Sequence, residues 1–233
     1  MEKEELVQRS PIRVFMNSIH GGLMPGEMGI IASPTGIGKT SVLVQIALDK
    51  LLQGKKVIHV SFAKHADYVL AWYKDIFDEF TQKKNLENED EVKNDIVKNR
   101  VLMKFNQEGL TVDQILKSLR AMIKDGGFAA DQIIIDGYNF SLNEKENISR
   151  ICEFARELDL SIWYSCNVKD ESSYDKKRIP LVISDYADLF EVIVVLNPKQ
   201  DHIEFSVSYG REIASPEQMA LKLDPKTLLI LEE

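Results

Sequence analysis

Ser33-Pro34-Thr35-Gly36-Ile37-Gly38-Lys39-Thr40 is the stretch that decides the fold. Gly38-Lys39-Thr40 completes the phosphate-loop pattern of glycine, four free residues and Gly-Lys-Ser/Thr, and Gly36 adds a second flexible position. Ser33 stands where the first glycine of that pattern belongs. The neighbours of the loop carry as much weight as the loop. Met28-Gly29-Ile30-Ile31-Ala32 before it reads as a buried strand. Lys39 to Leu52 after it reads as a helix, apolar on nearly every face through Leu48, with Gly54 as its stop. A strand, loop and helix in this order aim backbone N–H groups and the positive end of a helix dipole at one point, where a phosphate fits. Lys39 would then reach the β- and γ-phosphates, and the Thr40 hydroxyl would coordinate Mg²⁺. Pro34, Thr35, Gly36, Ile37, Gly38 and Ser41 complete the expected cradle. The cofactors expected are ATP, or another nucleoside triphosphate, and Mg²⁺. Lys39 is also a candidate catalytic group.

Mg²⁺ requires a second oxygen ligand from a neighbouring strand. Gln132-Ile133-Ile134-Ile135-Asp136 is the best buried strand by composition, and Asp136 at its end is the expected metal ligand.

The rest of the chain alternates strands with helices. Val57 to Phe62 is a second strand, and an amphipathic helix follows, with Ala66, Val69, Leu70, Tyr73, Ile76, Phe77 and Phe80 at steps of three and four. In that helix Trp72 precedes Tyr73, which reads as a packing residue rather than a base-stacking platform. Residues 81–100 are a charged surface excursion, partly helical, with 10 of 20 positions charged. Val101 to Phe105 is a strand. Thr111 and Gln114 form a capping box for a helix from Val112 to Lys124, which Gly126-Gly127 ends. Asn143 to Leu158 is a helix and Ser161 to Ser165 a strand. Such βαβ units imply a parallel sheet. Glu191 to Leu196, His202 to Ser208, Met219 to Leu223 and Thr227 to Leu231 have short connections and suggest an antiparallel extension at one sheet edge.

A chain of 233 residues is enough for one α/β domain with a substantial core, and the reading is a single domain over 1–233. No apolar run approaches the roughly 20 residues that span a bilayer, and the charged Met1-Glu2-Lys3-Glu4-Glu5 lacks the apolar core of a signal peptide. The expected location is cytoplasmic, away from membranes. A net charge of −8 is a handicap for binding nucleic acid, because phosphate contacts dominate that affinity. Cys152 and Cys166 have neither metal-ligand nor disulfide spacing and read as buried thiols. His59, His65 and the pair Asp170-Glu171 fit no ligand pattern, so they are assigned no metal.

With these residues in place, the chain resembles a family. Gly21-Gly22-Leu23-Met24-Pro25-Gly26-Glu27 resembles the entry segment of the RecA superfamily in its KaiC, RadA and DnaB-helicase branches. Leu221 to Thr227 resembles the closing strand of the DnaB-type core, and Ser184 to Asp188 the segment before a late strand. The resemblance implies a RecA-like P-loop NTPase fold, α/β, with a mainly parallel central sheet flanked by helices. It also implies ATP as ligand and assembly into homo-oligomeric rings or filaments with nucleotide at the subunit interface.

Three features depart from that family. The catalytic glutamate after the second strand is replaced by Ala63, and the position after the Walker B aspartate is Gly137. The polar group ending the sensor strand is replaced near Cys166, with Asn167 as a substitute. The cation supplied by a neighbouring subunit has only Arg211 as a match. The function expected is a KaiC-like regulatory nucleotide switch with weak or absent hydrolysis. The alternative is an active DNA helicase or repair ATPase of the DnaB or RadA type.

Overall fold

A computed structural model describes residues 7, 11–62, 67–84, 88–106, 109–142, 145–210 and 217–232. Its centre is a nine-stranded sheet among these residues. The elements run α1 (Pro11–Ser18), β1 (Met28–Ser33), α2 (Lys39–Leu52), β2 (Val57–Ser61), α3 (Asp67–Lys84), α4 (Glu89–Lys98) and β3 (Arg100–Lys104). They continue through α5 (Val112–Arg120), β4 (Gln132–Asp136), α6 (Lys145–Glu157) and β5 (Ser161–Asn167). β6 (Val192–Pro198), β7 (Ile203–Gly210), β8 (Glu217–Leu223) and β9 (Ile230–Glu232) close the sheet.

The strand order is β3-β2-β4-β5-β1-β6-β7-β8-β9. Every pairing from β3 to β6 is parallel, and those from β6 to β9 are antiparallel. β6 therefore corrects one sequence expectation: it joins the parallel set. The chain leaves β5 through the turns of residues 168–191, crosses β1, and enters β6 in the same direction. Crossing from β5 to the far side of β1 makes the C-terminal end of β1 a topological switch point, where open α/β sheets bind ligands.

Two cores flank the sheet. On one face α1 to α4 pack Ile12, Phe15, Leu43, Ile46, Tyr73 and Phe77 against Ile31, Trp163 and Phe205. On the other, Leu119, Ile148, Ile151 and Phe154 pack against Ile133, Tyr164 and Ile193. The central strands are buried on both sides, which is why they read as continuous apolar runs rather than alternating ones. Gly29 makes room for this packing: a Cβ there would stand 2.8 Å from the fully buried Trp163 ring.

Several boundaries differ from the sequence reading. α1 was not expected, since eight residues are too few to hold a helix by propensity. Its Ile12, Phe15 and Met16, with Ile19 just after it, are held by the core instead. The charged stretch 81–100 reads in sequence as a partly helical surface excursion. Among its described residues, Glu89–Lys98 form α4, which buries Val92 and Ile96 while exposing Glu89, Asp90 and Glu91. The Thr111 capping box is present, and the helix it starts ends as a π-turn over Ala121–Asp125 before Gly126. Cys152 and Cys166 are both free and buried. No helix among the described residues is long and apolar enough to cross a membrane.

Candidate nucleotide-binding site

β1 delivers the chain to Ser33, and α2 begins at Lys39. Gly38 is the N-cap, in the left-handed region at φ 105°. A Cβ there would stand 2.6 Å from Leu223 Cδ2, so glycine is required for its conformation and for its contact with β8. α2 has no side-chain cap and no acidic residue in its first turn. Its first N–H groups have no intrahelical partner and remain available to an anion.

Lys39 is 93% buried by its 7% exposure, and its ammonium folds back onto the loop. Nζ donates to Ser33 O at 2.9 Å, Ser33 Oγ at 3.2 Å and Pro34 O at 2.8 Å. Three donors thus meet three neutral acceptors. Burial lowers its pKa to about 8, with Asp136 pulling the other way. A cation held with no direct counter-ion among the described residues is the arrangement expected of a residue whose partner is a ligand anion.

Asp136 ends β4, separated from β1 by the whole width of β5. Its Oδ2 nevertheless accepts from Thr40 Oγ1 at 2.8 Å. Its Oδ1 accepts from Ser165 Oγ at 2.6 Å, and the same hydroxyl accepts the Gly137 N–H at 2.7 Å. Ser165, on the intervening strand, therefore orients the carboxylate.

These groups line one cavity of about 450 Å³, together with Thr35, Gly36, Ser41, Phe62, Trp72, Asn167 and Leu228. Pro34 and Ile37, expected in the cradle, do not line it: the Pro34 carbonyl serves Lys39, and Ile37 packs against the core. Asn167 reaches the cavity, whereas Cys166 is buried in the opposite core, its thiol pushed up to about 12 by desolvation. Period-2 alternation along β5 decides between the two. Ala63, His65 and Arg211 lie outside the described residues.

Sequence reading missed Ser165, Phe62 and Leu228 and gave Trp72 no role. Alternation with Trp163 would have placed Ser165 on the α2 face. Nothing local marks Leu228. It sits in the turn before β9 at φ 54°, where its carbonyl accepts from Ser41 Oγ at 2.5 Å and Gln45 Nε2 at 2.9 Å. Gln45 Oε1 in turn accepts the Ile230 N–H at 3.0 Å, which clasps the last strand to α2. Tyr73 is the packing residue it was expected to be, with its hydroxyl 3.1 Å from His59 Nδ1. Burial pushes His59 down to about 4, so the ring is neutral.

The parallel sheet, the switch-point loop and the carboxylate two strands away define a RecA-like P-loop core. Among solved structures the chain is similar to the KaiC-like protein PH0186 of Pyrococcus horikoshii OT3, with a TM-score of 0.64 over 94% of each chain at 14% identity. That likeness is one of fold. Over 45 residues the chain is 47% identical to the DNA repair protein RadA of Aquifex aeolicus (strain VF5). This match covers 19% of the chain and a tenth, 10%, of RadA's length. No family model matches the sequence.

Proposed function

We propose that the chain binds ATP, or another nucleoside triphosphate, with Mg²⁺, and acts as a nucleotide-operated switch with weak or absent hydrolysis. The observation that carries this reading is the convergence of the buried Lys39 ammonium, the uncapped start of α2 and the Thr40–Asp136 oxygen pair on one cavity. The donor set fits Mg²⁺, a hard cation that takes one or two protein oxygens and completes its octahedron with phosphate and water. Thr40 and Asp136 would hold it, and it would neutralise charge on the phosphates.

Hydrolysis also needs a group that orients the attacking water, typically worth roughly 10²–10⁴-fold. Ala63 and Gly137 occupy the two usual positions for it. Among the described lining residues Asp136 is the only carboxylate, and both its oxygens are engaged. Steady-state phosphate release tests the reading. A slow parent rate that rises in Ala63→Glu supports it. A brisk parent rate lost in Asp67→Ala means that the base has moved to Asp67.

The RadA segment favours a second reading, an ATP-driven motor on DNA. Phosphate release stimulated several-fold by single-stranded DNA would select it. Resemblance also suggests self-association through the nucleotide face, with Arg211 acting in trans. Light scattering with and without ATP tests that, and a monomer under both conditions removes the role for Arg211.

A further inference from the structure

The candidate nucleotide cavity is lopsided in its chemistry. Lys39, Asp136, Ser165 and Asn167 make one part polar. Trp72, half-buried on α3, and Leu228, in the turn before β9, contribute apolar walls from elements that flank α2. The polar side chains are largely committed. Thr40 donates to Asp136, Ser41 donates to the Leu228 carbonyl, and Asp136 accepts from both Thr40 and Ser165. Asn167 lies opposite Ser33 in register and lines the same cavity as Trp72 and Leu228. A triphosphate occupies the loop and the α2 terminus, so the part of the ligand left for an indole face is its heterocycle.

We propose that Trp72 is the platform on which the nucleotide base stacks, with Leu228 as the second apolar wall. Recognition through ring faces favours purines, which have the larger π-surface, over pyrimidines. This rests on the nucleotide reading above. Leu228 is held for the role by two hydrogen bonds to its carbonyl, which fix a left-handed backbone that leucine does not otherwise favour.

Equilibrium dialysis of ATP, GTP, CTP and inorganic tripolyphosphate tests the proposal on the parent, Trp72→Ala, Trp72→Phe and Lys39→Ala. Base–aromatic stacking predicts that Trp72→Ala weakens ATP and GTP about 10–100-fold and leaves tripolyphosphate unchanged, while Trp72→Phe keeps most of the affinity. Trp72 and Trp163 are the two tryptophans, and Trp163 is fully buried beneath Gly29. ATP should therefore change the fluorescence of the parent, tripolyphosphate should not, and Trp72→Phe should lose the response. Two results overturn the proposal: unchanged ATP affinity in Trp72→Ala, or a parallel loss of tripolyphosphate. A parent that binds tripolyphosphate but no nucleotide overturns it while leaving the phosphate loop standing. A parent that binds neither overturns the nucleotide reading as well.

Discussion

Thr40 and Asp136, 96 positions apart in the chain, meet through a hydrogen bond of 2.8 Å across an intervening strand. The bond joins the start of α2 to the end of β4, and Ser165 on β5 locks its acceptor from the other side. On the reading proposed above, these two oxygens, 2.8 Å apart, would hold one small cation.

Replacing Ser165 by Ala tests that arrangement. It frees Asp136 Oδ1 and leaves the Gly137 N–H without its acceptor. Loss of a residue that orients a metal ligand typically weakens metal affinity about 10–100-fold. The Mg²⁺ concentration for half-maximal ATP binding should rise by about 10-fold or more, while metal-free binding changes little. An unchanged Mg²⁺ midpoint would remove Ser165 from the site.

Lys39 gives a proton-linkage signature. Its pKa is lowered to about 8 in the free protein because burial disfavours the charged form. A bound triphosphate restores the counter-charge and raises it. Above about pH 8 the ligand-free ammonium is partly deprotonated, so binding must take up protons. Calorimetry at alkaline pH, in buffers of different ionisation enthalpy, should show this uptake, and Lys39→Met should abolish both uptake and tight binding. Tight binding in the variant would contradict the phosphate-loop assignment.

Asp49 on α2 pairs with Arg13 of α1 at 2.9 Å and is 2% exposed. Desolvation raises it from 3.8 to about 6 despite Arg13. The folded state then holds more protons than the unfolded chain between those values, so this group's contribution to stability falls as pH rises through that window. Urea midpoints followed from pH 4 to 7 should carry this downward component in the parent and lack it in Asp49→Asn. Superimposable profiles would mean that Asp49 does not titrate there.

Gly29→Ala probes the packing beneath the loop. Its Cβ would approach the Trp163 ring to 2.8 Å in a fully buried region. Overpacking of this kind costs about 1–3 kcal/mol, and a second change, Trp163→Phe, should recover part of it. A Gly29→Ala melting temperature equal to the parent's would show that the ring moves freely.

Duplex DNA should be retained weakly on filters at moderate salt, because a chain of net charge −8 releases few counterions unless its cations cluster. Tight retention that weakens steeply with added salt would reveal such a cluster and favour the motor reading.

The sequence alone determined the elements that rest on local chemistry. Gly38-Lys39-Thr40 marked the loop, the apolar runs of β1, β2 and β4 marked buried strands, and Thr111 with Gln114 marked the start of α5. Each is set by interactions within a few residues, so each is readable locally. α1 was illegible because its order comes from burying Phe15 against Trp163 and Phe205 of distant strands rather than from helix propensity. The same division runs through the site. Lys39, Thr40 and Asp136 could be named from their positions beside glycines and strand ends. Ser165 and Leu228 acquire their places only when β5 enters between β1 and β4 and when β9 docks on Gln45. Strand order and register join residues far apart in the chain, and no local pattern encodes that pairing. The packing of the two cores decided it.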